Sequence, residues 1–118
     1  MAVIVTPATV RSLLLRAGGI AARPVPGSKN RFSSAGFVVR TFRRQGEEYS
    51  TFHGARYHID SAVEVRHAFG EQERSVEKEM EYLAHYAAVI TKAGWKTQVR
   101  VYGAALGPKL TTRFVEVG

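Results

Sequence analysis

Apolar residues along this chain follow two rhythms, and the points where one gives way to the other outline its elements. Val10, Leu13, Leu14 and Ala17 recur every three or four positions, the spacing of one helix face. Thr6-Pro7 precedes them. A threonine hydroxyl can accept a free amide, and proline at the first helical position lacks an N–H that would have no partner there. Gly18-Gly19 follows and supplies the left-handed closing residue. A second helical rhythm begins after Ser75. Val76, Met80, Leu83, Ala87 and Ile90 make its main stripe, and Tyr82, Tyr86 and Val89 a lateral one. Acids crowd its first turns, where the helix dipole favours them. Gly94 ends it, and Trp95 is placed to fold back on Ile90 in a Schellman closure.

Between and after these stretches the period drops to two. In Phe37–Arg44, Phe37, Val39 and Thr41 share one phase and Val38, Arg40 and Phe42 the other, with Gln45-Gly46 as a turn. Glu48–Phe52 reads as a weak returning strand. Tyr57, Ile59, Val63, Val65 and Phe69 alternate with His58, Asp60, Glu64 and Arg66, the pattern of a strand with one buried and one solvated face. Ser61 breaks the apolar phase, and a bend or bulge is expected there. Trp95, Thr97, Val99 and Val101 alternate with Lys96, Gln98 and Arg100 in a further strand. After a Gly/Pro-containing loop, residues 110–117 close the chain as the last. Residues 21–35, with two prolines, a Gly-Ser pair and no period, read as a mobile basic loop. The expected fold is α+β: a small antiparallel sheet with two helices packed on one face, in the order α-β-β-(β)-α-β-β.

Composition narrows the setting. The chain has 118 residues, the length of one domain, and 45% of them are hydrophobic, as in globular proteins. A single domain over 1–118 is therefore expected. There is no cysteine, which removes disulfides, thiolate metal sites and cysteine nucleophiles and fits a reducing compartment. No segment approaches the ~20 apolar residues that cross a bilayer, and Thr6-Pro7 breaks the apolar start of the chain. The reading is a cytoplasmic protein with no membrane partner.

Charge changes the picture more. The net charge is +7, and it is unevenly spread. Residues 1–46 hold basic side chains and no acid, whereas Glu71, Glu73, Glu77, Glu79 and Glu81 gather at the start of the long helix. Arginines neutralise phosphates and release counterions, so a basic half points to nucleic acid. The candidate contacts are Arg23, Lys29 and Arg31 in the loop and Arg40, Arg43 and Arg44 in the first strand, with Phe32, Phe37 and Phe42 among them as in stacking surfaces for single strands. Tyr82, Tyr86 and Val89 are candidates for a protein interface, because aromatic residues left outside a core mark such surfaces.

Catalytic constellations fare worse. His58, Asp60 and Glu64 share a strand phase, but a strand rises ~6.6 Å per two residues and spreads them apart, so they read as a solvated polar face. Glu81 and His85 are helix neighbours that a surface ion pair explains. No nucleophile elbow, phosphate-cradling glycine loop or dinucleotide fingerprint is present. The expectation is a non-enzymatic protein without metal or cofactor.

Two resemblances bear on this. The order helix, strands, helix resembles the double-stranded RNA-binding domain, but ERSVEKEMEYLA is acidic where that family starts its second helix with lysines, so its activity is not carried over. The stretches TPATVRSLLLRAGGIAARP, AGFVVR, VEVRHAF and YLAHYAAVITKAGWKTQVRVY resemble small accessory proteins of unknown function from actinobacteriophages. That resemblance transfers no site residues. It implies binding to DNA, to a host protein or in assembly, inside the host cell cytoplasm. The expected partners are DNA or RNA through the basic half or, as the alternative, a protein: a host factor to be inhibited or a second copy in a homodimer.

Overall fold

The computed structural model describes residues 5–28, 31–45, 59–103, 105, 107 and 111–118, and for 42–45 and 59–61 the backbone alone. The weak strand at Glu48–Phe52 lies outside the described residues.

Local sequence places the two helices. Helix α1 (Pro7–Arg16) is capped by Thr6, whose Oγ1 accepts the Thr9 amide at 3.3 Å. It closes in a Schellman pattern, with the Gly19 amide donating to the Leu14 carbonyl and the Gly18 amide to the Leu15 carbonyl. Helix α2 (Val76–Lys92) repeats the design, with Ser75 as cap and the Trp95 and Gly94 amides bonded to the carbonyls of Ile90 and Thr91. Gly94 takes the left-handed φ of +102° that this closure requires.

Four strands follow the period-two segments: β1 (Gly36–Gln45), β2 (Ile59–Ala68), β3 (Thr97–Tyr102) and β4 (Thr112–Val117). They form one antiparallel sheet in the order β1-β2-β4-β3, so the last strand inserts between the second and third. The β1–β2 register is unbroken from Gly36↔Ala68 to Gln45↔Ile59. The bulge expected at Ser61 is absent: Ser61 pairs with Arg43 in step with its neighbours.

The odd-numbered positions of the sheet face the helices. Phe37, Val63, Val65, Val115 and Val117 meet Val10 and Leu14 of α1 and Leu83, Tyr86 and Ile90 of α2 in one core. Removing each such side chain from water contributes about 1.5–3 kcal/mol. The buried stripe of α2 is Glu79, Leu83, Tyr86 and Ile90, which corrects the expected one. Val76 and Met80 are exposed instead, because the helix is rotated so that Glu79 points inward to arginines, as described below.

The described residues of the 21–35 segment are tied down. The Ser33 amide donates to the Arg23 carbonyl at 2.8 Å and the Val25 amide to the Arg31 carbonyl at 2.9 Å, forming a small hairpin. Just before it, residues 20–22 run alongside the start of β1, with the Phe37 amide donating to Ile20 and the Ala22 amide to Phe37. The approach needs a residue without a side chain. A methyl group on Gly36 would strike the Ile20 carbonyl oxygen and the Ala22 amide. Among the described residues, no helix is long and apolar enough to cross a membrane.

Candidate functional site

Among the described residues, no helix covers the second face of the sheet. Its residues are the even-numbered ones, and the register lines them up in rows. Arg40, Glu64, Glu116 and Gln98 lie side by side across the four strands, with Arg66 next to Glu64 along β2 and Arg100 next to Gln98 along β3. This face is not the solvated polar surface that alternation suggested. Glu64 and Glu116 are only 6% and 5% exposed, and Phe114 is 1% exposed. Long side chains from the same face cover them.

The covering follows one pattern. The Arg66 guanidinium lies 5.9 Å from the Phe114 ring centre, that of Arg100 lies 5.4 Å from Tyr102, and that of Arg40 lies 6.0 Å from Phe32 of the hairpin. Tyr102 and Phe114 stack at 5.7 Å, which makes Arg66–Phe114–Tyr102–Arg100 a continuous run of planar groups. Each such cation over a ring is worth about 0.5–1 kcal/mol where solvent reaches it. Charge is balanced beneath. Arg66 Nε sits 2.7 Å from Glu64 Oε1 and its Nη2 donates to Oε2, while Arg100 Nη1 is 3.7 Å from Glu116 Oε2. The two glutamates face each other in the register, so without these arginines two like charges would be desolvated together. Arg100 also donates to the Tyr102 hydroxyl at 2.8 Å, and this bond raises its already high pKa further.

The sheet then forks. Pairing between β2 and β4 ends at Val65↔Val115, yet β2 runs on to Ala68 and β4 starts back at Thr112. A cleft of about 670 Å³ opens between the two prongs, walled by the hairpin residues Arg31 and Phe32, by Arg66 and His67 on β2, and by Arg113 on β4. At its base the buried Glu79 carboxylate accepts from Arg113 at 3.1 Å and from Arg74 at 3.4 Å, and Arg74 also donates to the Thr111 carbonyl. This ionic knot turns α2 so that Glu79 replaces Met80 on the buried side. Beside it, His67 shares a hydrogen with the Tyr86 hydroxyl at 2.7 Å and stacks on Tyr82 at 3.8 Å. Burial holds the His67 pKa below its ordinary value, against the pull of Glu79, so the ring is neutral at pH 7. Burial also pushes the Tyr86 hydroxyl well above its usual range, with Tyr82 adding to the effect.

The residues singled out from sequence are divided among these places. Arg31 and Arg40 both line the cleft. Arg23 is exposed on the hairpin. Arg43 and Arg44 continue β1 opposite Ser61 and Asp60, with their side chains outside the described residues, as is the whole of Lys29. The first-half arginines Arg11 and Arg16 lie on α1, in the helix layer. The expected interface stripe is broken up. Tyr86 is 5% exposed and belongs to the core, Val89 packs against that core, and Tyr82 alone stays open at 44%. Arg66, Arg100 and Arg113, all from the second half, were missed because charge was counted along the chain and not by strand face. The legible signal was Phe114, a large aromatic in phase with Glu116 rather than with the valines.

Among the described residues, no group of three or more His, Asp or Glu side chains is placed to hold a metal ion. No family model, curated protein or solved structure matches this chain.

Proposed function

We propose that this chain is a non-catalytic nucleic-acid-binding domain that lays a single strand of DNA or RNA across the open face of its sheet. The observation that carries the reading is that Arg40, Arg66 and Arg100, on the face no described helix covers, each lie over an aromatic ring, Phe32 of the hairpin in the case of Arg40. Single strands are held by bases stacking on exposed rings while arginines follow the phosphates. Tyr102, at 44% exposure, is the ring a base would reach, by displacing the Arg100 guanidinium that lies over it. The arginines can keep their carboxylate partners and still present outward N–H groups, since a guanidinium has five donors. The proposal narrows the expected basic half to a face drawn from both halves, and the resemblance to phage accessory proteins fits an auxiliary role of this kind.

Fluorescence anisotropy with a labelled single-stranded oligonucleotide tests it. Micromolar affinity at low salt is expected, with a slope of log K against log salt near −2, about −0.7 for each of three phosphates. Tyr102→Ala should weaken binding at every salt concentration, and Arg100→Gln should also flatten the slope. Absence of binding at 50 mM salt and tens of micromolar protein would end the proposal.

A second reading rests on α2, where Val76, Met80 and Tyr82 are exposed near the helix start. Such a patch suits a protein partner, including a second copy of this chain. A concentration-dependent mass in sedimentation, lost on Met80→Glu, would favour it.

A further inference from the structure

We propose that the cleft in the sheet fork is a phosphate subsite, which takes a terminal phosphomonoester of a bound strand or the same group on a free mononucleotide. The inference rests on the single-strand reading above for its biological ligand, but its chemistry stands on the cleft alone. Five arginines line the cleft against two glutamates, Glu71 and Glu79. At its base two guanidinium groups surround one carboxylate, which leaves a surplus positive charge where water is partly excluded. Charge-assisted bonds to a doubly charged phosphate are the strong kind, and arginine's planar fork fits such oxygens two at a time.

The side chains differ in exposure in a useful way. Arg113 is held deep, with 12% of its side chain exposed, whereas Arg74 and Arg66, exposed at 44% and 41%, present guanidinium groups to a ligand in the cleft. Among the described residues Arg31, on the opposite wall, pairs with no carboxylate. Phe32 offers an apolar surface for the base that follows the phosphate. The volume lies within the 300–1,000 Å³ or so of ordinary ligand sites. The cleft is also continuous with the proposed strand-binding face, since Arg40 and Arg66 belong to both. Glu79 is a positioning residue here: it holds the two arginines together and competes with the phosphate for them.

The experiment has two arms. In the first, inorganic phosphate and a nucleoside monophosphate are titrated into the protein at low salt while the His67 ring resonances are followed by NMR. Saturable shifts at millimolar phosphate or below are expected, lost in Arg74→Gln. They should saturate at roughly tenfold lower phosphate in Glu79→Gln, which removes the competing carboxylate while keeping its shape. In the second arm, oligonucleotides with and without a terminal phosphate are compared. The phosphorylated strand should bind about tenfold tighter, and Arg74→Gln should abolish only that difference. Shifts with the mononucleotide but no gain for the phosphorylated strand would assign the subsite to free nucleotides. Absence of His67 shifts in wild type and Glu79→Gln alike would overturn the subsite, whatever the strand does. If strands fail to bind while phosphate still shifts His67, the single-strand reading falls and the subsite stands.

Discussion

The two faces of the sheet bury similar fractions of their central residues by opposite means. On the helix side, Phe37, Val65, Val115 and Val117 are covered by α1 and α2, and the contact is apolar. On the other side, Phe114, Glu64 and Glu116 are equally hidden, but the cover is a layer of arginine and tyrosine side chains from the same strands. A helix layer is fixed by its own backbone hydrogen bonds and by every other contact it makes. A layer of guanidinium groups is fixed only by ion pairs and ring contacts, each worth about a kcal/mol or less. The first face is therefore built for stability, while the proposed strand binding requires the second to exchange part of its cover.

Cavity formation should separate the faces most strongly. Phe37→Ala removes a ring that rigid helices surround and is expected to cost about 3–5 kcal/mol of unfolding free energy. Phe114→Ala removes an equally buried ring, but Tyr102 and Arg66 can settle into the gap, and roughly half that cost is expected. Urea titration of the two variants checks the pair. Equal losses would show that the open face is as rigid as the core.

Ion pairs give the next contrast. Arg113→Met leaves the buried Glu79 with Arg74 alone, and the loss should approach, but stay below, the roughly 3–5 kcal/mol of a fully unpaired buried charge. Arg100→Met on the open face should cost clearly less than this, because its pair with Glu116 is long at 3.7 Å, its guanidinium is part solvated, and Glu116 has other contacts. A large destabilisation by Arg100→Met would mean that the arginine layer is structural and not exchangeable.

The smallest effect concerns pH. His67 sits on the helix side with its pKa depressed by burial. The unfolded chain therefore takes up its proton at a higher pH than the folded one. Stability is full above the unfolded value near 6.5 and declines as pH falls towards the folded value. Tyr82 and Tyr86 on α2, Phe69 beyond β2, and the Glu79–Arg74–Arg113 knot all face this ring. The melting temperature should drop between pH 7 and pH 5.5 in the wild type, and less in His67→Gln. An equal drop in both would place the titrating group elsewhere.

These contrasts also explain what could be read from sequence. The helices were legible because caps and closures are local: Thr6-Pro7, Ser75, Gly18-Gly19 and Gly94-Trp95 act within a few residues. The phases of β1, β2 and β3 were legible because alternation reports which residues share a face. Alternation does not say what covers each face, so Glu64 was read as solvated although Arg66 and its neighbours enclose it. The rotation of α2 was hidden for a related reason. Its cause is an ion pair between Glu79 and Arg113, 34 positions apart, and a helical stripe of apolar residues carries no trace of so distant a partner. The site was half legible. Of the candidates picked by charge, Arg31 and Arg40 line the cleft, whereas Arg66, Arg100 and Arg113 come together only through the insertion of β4 between β2 and β3.

The most direct test of the proposed division between faces is to follow arginine side-chain Nε–Hε signals by NMR during titration with a single-stranded oligonucleotide. Shifts are predicted for Arg40, Arg66 and Arg100, on the open face, with Arg11 and Arg16 on α1 unmoved. Movement of the α1 arginines while the open-face signals stay still would contradict the account.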